Sequence, residues 1–149
     1  MLIAVSYGLM LPAIAVMHPR HAAVRPAGAI LGSIAGTAAV TVGLAGAVNL
    51  DLQPAALFVL GIWWWTIGRM WVETGVLPRA FGLLTAAGGV VALFATILAS
   101  FGAVASVALP GADLRAWDAA QVVLGLWLLA LGLPLWAGSR PYVPMRDLP

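Results

Sequence analysis

The 149-residue chain contains no cysteine and no lysine. Without cysteine there are no disulfides, thiolate metal sites, iron–sulfur clusters or cysteine nucleophiles. Without lysine there is no Schiff-base chemistry and no Gly-Lys-Ser phosphate loop. Charge is scarce too: seven arginines and five acids amount to 8% of the sequence, against about 25% in an ordinary soluble domain, while 63% of the residues are hydrophobic. So few charges do not cover the surface of a soluble protein, whereas a bilayer tolerates an apolar exterior. The expected solvent is therefore lipid. A net charge of +2 spread over long apolar runs supplies no basic stripe, which excludes nucleic acid as a partner.

A hydrocarbon core of about 30 Å needs roughly 20 apolar residues as a helix. Five runs, at about 2–17, 27–48, 55–72, 80–103 and 119–138, meet that need. They predict an all-α, polytopic membrane helix bundle forming one domain over 1–149, with five transmembrane helices, or four if the first run is not a span. A strand barrel would alternate apolar and polar residues, and these runs are apolar on every face. The first run has Pro12 near its middle and no basic leader before it, so it reads as a helix rather than a cleaved signal. Arg20, Arg25, Arg69, Arg79, Arg140 and Arg146 fall in alternate connections and the tail; the other connections carry Asp51, Asp113 and Asp118 with Arg115 alone. Positive charge collects on the cytoplasmic side, which puts the N-terminus outside and the C-terminus in the cytoplasm. The fourth run overruns a bilayer, and the stretch 103–109 before Pro110-Gly111 is expected to emerge as a bent or interfacial piece.

Small residues mark close contacts between helices in lipid. In the second run Gly28, Gly32 and Gly36 repeat every four residues, and a second register runs Ala29, Gly32, Gly36, Ala39, Gly43 and Gly46. The fourth run offers Gly82, Thr85, Gly89, Ala92, Thr96, Ala99 and Ala103 at heptad spacing. These seams predict that the second and fourth helices pack together, with an oligomer contact as the alternative.

Trp63, Trp64 and Trp65 fall near the middle of the third run, away from the interfacial belts where Trp normally sits. At 100° per residue they cannot share a face, so at least one is expected to touch another helix, a partner or a bound apolar ligand, with its N–H directed at Thr66 or a carbonyl. Packing and a ring-stacking site for a quinone, pigment or lipid are both open. Trp71, Trp117 and Trp136 lie near span ends and need only the belt explanation. Arg69 and Glu73, four apart with Trp65 a turn before the Arg, form the one charged constellation; it suits an anion or a proton relay as well as headgroup anchoring. His18 and His21 sit in a Pro-containing loop, and two imidazoles alone do not complete a transition-metal site. No serine has His and acid partners in suggestive positions, so neither a catalytic site nor a metal is expected.

The segment Thr74-Gly75-Val76-Leu77-Pro78-Arg79, followed by Ala80-Phe81-Gly82, resembles a turn of the type Thr-Gly-x-Leu-Pro-Arg that joins two spans in bacterial multi-span membrane proteins of unknown function. The similarity covers mainly residues 61–90, with a looser echo in 127–138, and implies no activity and no site residues. Together these readings predict a multi-pass protein of the bacterial inner membrane that is not an enzyme and needs no cofactor. It would act as an accessory or structural subunit through helix, lipid or apolar-cofactor contacts, with other membrane subunits or further copies of itself as partners. The alternative is a small oligomeric transporter of solute or lipid, with Arg69 meeting the substrate.

Overall fold

The computed structural model describes residues 2–100 and 122–133. Outside them lie the 103–109 stretch, Ala103, Trp117, Trp136, the charges at 113, 115, 118, 140 and 146, and both ends of the fifth expected span. The described residues are helical throughout apart from short connections: α1 (Leu2–Ala22), α2 (Pro26–Val48), a 3-10 turn (Leu50–Leu52), α3 (Gln53–Thr74), α4 (Arg79–Ser100) and α5 (Val122–Leu133). Three of these helices are long and apolar enough to cross a membrane, with mean hydropathies of 1.7 over Pro26–Val48, 1.3 over Gln53–Thr74 and 2.0 over Arg79–Ile97.

Local chemistry sets the boundaries. Pro26 opens α2 at a position where its missing N–H is no loss. Asn49 then closes that helix through its N–H to the Ala45 carbonyl at 2.9 Å, while its side-chain oxygen accepts from the Asp51 N–H at 3.1 Å and turns the chain toward α3. Gly75 ends α3 in the left-handed region, φ 68°, which favours a residue without a Cβ. The Pro78 carbonyl accepts from the N–H groups of Phe81 and Gly82 and starts α4. One boundary differs from expectation: His18 to His21 are not a loop but the last turns of α1, with Pro12 and Pro19 both inside the helix. Met17 and His21 are buried, and that packing holds the chain helical through Pro19.

α3 is the central helix, packed against α2 on one side and α4 on the other, and α1 lies against α2. The buried residues of α2 are Ala29, Gly32, Gly36, Ala39, Val40, Gly43 and Gly46, which is the three-and-four register with Val40 added. On α4 the heptad positions Gly82, Thr85, Gly89, Ala92 and Thr96 are likewise buried. The two seams do not serve each other, however, and the expected packing of the second helix on the fourth is corrected. Gly32 faces Ile67 and Met70 of α3, Gly36 faces Ile14 of α1 and Trp63 of α3, and Gly43 receives the Tyr7 ring. The α4 seam lies against α3.

That second contact is made backbone to backbone. Gly61 and Gly68 on α3 are seven residues apart, as are Gly82 and Gly89 on α4, and the helices run antiparallel so that Gly61 meets Gly89 and Gly68 meets Gly82. A Cβ at Gly68 would stand 2.7 Å from the Gly82 carbonyl oxygen, and one at Gly89 would stand 2.7 Å from that of Gly61. Backbone cannot move aside as a flexible side chain can, so the helices would have to separate. Gly68→Ala is expected to destabilise the bundle by about 1–3 kcal/mol. Gly8→Ala, within α1 where a Cβ meets nothing within 4 Å, should not destabilise it. Unfolding by SDS from mixed micelles, followed by circular dichroism, measures both.

Candidate functional site

The α1–α2 and α3–α4 connections lie at the same end of the bundle, where Glu73 of α3 pairs with two guanidinium groups. Arg69 reaches its Oε1 from one turn earlier at 3.1 Å, and Arg25, just before α2, reaches its Oε2. The pair expected from sequence is therefore a three-residue cluster, with Arg25 supplied by another segment. The Arg69 guanidinium also lies 5.7 Å from the centre of the Trp65 ring, a cation–π distance. These residues, with Gly28, Leu31, Thr66 and Met70, wall an open pocket of about 220 Å³. All three charged side chains are substantially exposed, so each ion pair contributes at most about 1 kcal/mol to stability. The cluster's chemical offer is a fixed cationic patch beside an indole, suited to a phosphate or carboxylate.

The three consecutive tryptophans divide. Trp65 is 42% exposed and belongs to the charged pocket, whereas Trp63 and Trp64 are buried. Thr66, expected as an indole acceptor, donates its own hydroxyl to the Ile62 carbonyl at 2.8 Å. What Trp63 and Trp64 meet is Trp127 of α5, edge-on at 5.4 Å and tilted at 5.5 Å. Trp127 also stacks on Trp71 and Phe81, at 6.1 and 6.2 Å, and Trp71 stacks on Phe81 at 5.5 Å. Trp71 thus needs more than the belt explanation: it is fully buried, covered by Trp127 of α5 and Phe81 at the start of α4. Trp127 is the aromatic that sequence reasoning missed as a site residue; its signal was an indole in an otherwise aliphatic run. Its Nε1–H donates to Thr85 Oγ1 at 2.9 Å, and Thr85 donates to the Phe81 carbonyl at 2.9 Å.

The two histidines of the last turns of α1 line a small cavity with Ser33 of α2 and Trp63 and Met70 of α3. Ser33 Oγ donates to the Ala29 carbonyl at 2.9 Å and stands 2.7 Å from His18 Nδ1. With its proton so used, Ser33 accepts from the ring, which makes His18 an Nδ1–H tautomer. His21 Nδ1 lies 2.7 Å from the Met17 carbonyl, which can only accept, so this ring too carries its proton on Nδ1. His21 lies beyond the apolar run 2–17 yet is 1% exposed. Burial pushes its pKa below the usual histidine value; the Met17 carbonyl opposes that shift, and the charge of neighbouring Arg20 adds to it. Of the packing glycines expected from sequence, Gly28 touches Met70 and Arg25, Gly32 and Gly36 receive side chains of α1 and α3, and Gly82 and Gly89 lie on the α3–α4 seam. Among the described residues no group of three or more His, Cys, Asp or Glu gathers.

Comparison with protein-family models, with curated proteins and with solved structures finds no match. The geometry is therefore the ground for any functional reading. Thr85 tests how the aromatic core is held: Thr85→Val keeps the shape but leaves the Trp127 indole N–H without an acceptor, and should lower stability by about 1–3 kcal/mol in SDS unfolding.

Proposed function

We propose that the protein is a multi-pass subunit of a bacterial inner membrane, with five spans, its N-terminus outside and its C-terminus in the cytoplasm, acting as an accessory or structural component. Support for insertion comes from three helices of membrane-spanning length and from an apolar outer surface on which Leu31, Ile34, Leu84, Val91 and Phe94 stand exposed. Support for the orientation comes from Arg25, Arg69 and Arg79, which the fold gathers at one end while Asp51 lies at the other. The bacterial assignment rests on the Thr-Gly-x-Leu-Pro-Arg resemblance.

The observation that carries the subunit reading is an apolar interior: even the open space of about 650 Å³ between α1 and α5 is walled mainly by side chains such as Val5, Leu9, Val16, Leu128 and Leu129. Trp63, Trp71, Leu60, Tyr7 and Met10 close the centre, and the cavity between α1, α2 and α3 has room for about 10 Å³, close to one water. A transporter in which Arg69 meets the substrate would need a polar passage to that arginine; the pocket at Arg69 instead opens outward, on the flank of α2 and α3. Such a flank, with an exposed indole under a guanidinium, suits a neighbouring subunit or a lipid phosphate.

Native mass analysis after gentle extraction from the source membrane tests the reading. A stoichiometric complex with another membrane protein is the expected result, and Trp65→Ala should weaken it about 30-fold or more, as loss of an interface aromatic does. A homo-oligomer carrying lipid alone would overturn the subunit reading and bring transport forward, with loss of flux in Arg69→Ala as its signature.

A further inference from the structure

The small cavity between α1, α2 and α3 brings together a set of donors that neither helix pattern nor charge reveals. Its lining includes Met17, His18 and His21 from the end of α1, Ser33 from α2, and Trp63 and Met70 from α3. Met17, Met70 and His21 are all buried. The Nε2 atom of His21 has no hydrogen-bond partner among the described residues, and because its proton is held on Nδ1 by the Met17 carbonyl, that buried Nε2 presents a lone pair. The indole of Trp71, 6.4 Å away between ring centres, does not supply the missing bond.

We propose that this cavity is a site for a soft monovalent cation of the copper(I) class, bound by His21 Nε2 together with the thioethers of Met17 and Met70 and with His18 at its edge. Three features fix the class. Thioether and imidazole donors favour copper(I) over hard cations. The site has no thiolate or carboxylate in its lining, so a divalent ion would carry uncompensated charge into an apolar bundle, whereas a single positive charge is the least demanding. Each ring is also oriented as metal-binding imidazoles are, with Nδ1–H given to a fixed oxygen, that of Met17 for His21 and that of Ser33 for His18. The inference is independent of the subunit reading and survives its failure.

The test uses the full-length protein in detergent micelles, titrated anaerobically under ascorbate against the copper(I)–bicinchoninate complex. One equivalent of copper(I) should be withdrawn from the chelator, and X-ray absorption should record both sulfur and nitrogen neighbours. Ser33→Ala, which removes only the acceptor behind His18, should weaken binding about 10- to 100-fold. His21→Ala and Met70→Leu should weaken it at least as much. Met70→Leu keeps an apolar side chain of similar size, so it decides the matter if His21→Ala fails to fold. No withdrawal of copper, as for a cavity that holds only water, overturns the proposal; so does binding unchanged in Met70→Leu, or absorption with nitrogen and oxygen neighbours alone.

Discussion

The close approach of α3 and α4 at four glycines is the contact on which the rest of this bundle depends. In lipid, the surroundings proposed for this bundle, an apolar side chain gains little by leaving them for a helix interface, so association there would rest on dispersion and shape. Dispersion falls steeply with distance, and a gap under 1 Å already forfeits about a quarter to a half of each contact. Glycines facing glycines let two helices approach until a carbonyl of one lies against the backbone of the other. The order along the chain matters as well: α3 and α4 are joined by the short Gly75–Pro78 turn, so this pair forms a hairpin whose contact is local in sequence.

Once α3 is held on α4, its remaining face is dictated. The side chains that cannot fit the glycine seam turn outward from it, and they are the large ones: Trp63, Ile67 and Met70 enter the surface of α2 where Gly28, Gly32 and Gly36 make room. Trp64 and Trp71 remain for α5 and the start of α4, and Trp127 fills the space between them. Small residues thus play two roles in one protein. On α4 they admit backbone, and on α2 they admit the side chains of two different neighbours.

This division explains what could be read from the sequence. Helix existence follows from apolar runs, and so does length for α2 and α3, whereas α1 continues past its run to Ala22; the buried registers of α2 and α4 follow from residue size, since a glycine or threonine every three or four residues leaves a groove on one face. Which helix fills the groove does not follow, because two small-residue stripes are interchangeable in pattern and only large partners such as Trp63 and Tyr7 decide the match. The same blindness covers the site. Arg69 and Glu73 were visible as a pair on one helix, but Arg25 joins them across the bundle from 44 positions away in sequence (69 − 25). His18 and His21 read as a loop because Pro19 stands between them, and their thioether neighbours Met17 and Met70 carry no pattern that marks them as a set. Trp71 read as a belt residue because position along a span says nothing of what covers it.

The stack of Trp127 on Trp71 and Phe81 has an optical consequence. Indoles whose planes lie within 18° of one another at 6.1 Å couple their electronic transitions, and a Trp fixed in such an asymmetric stack contributes strongly to near-ultraviolet circular dichroism. Because Trp127 is the partner that α5 brings to this group, the intensity of that signal reports whether α5 is docked on the α3–α4 hairpin. The protein carries within its own sequence a spectroscopic reporter of α5 docking, readable without any added label.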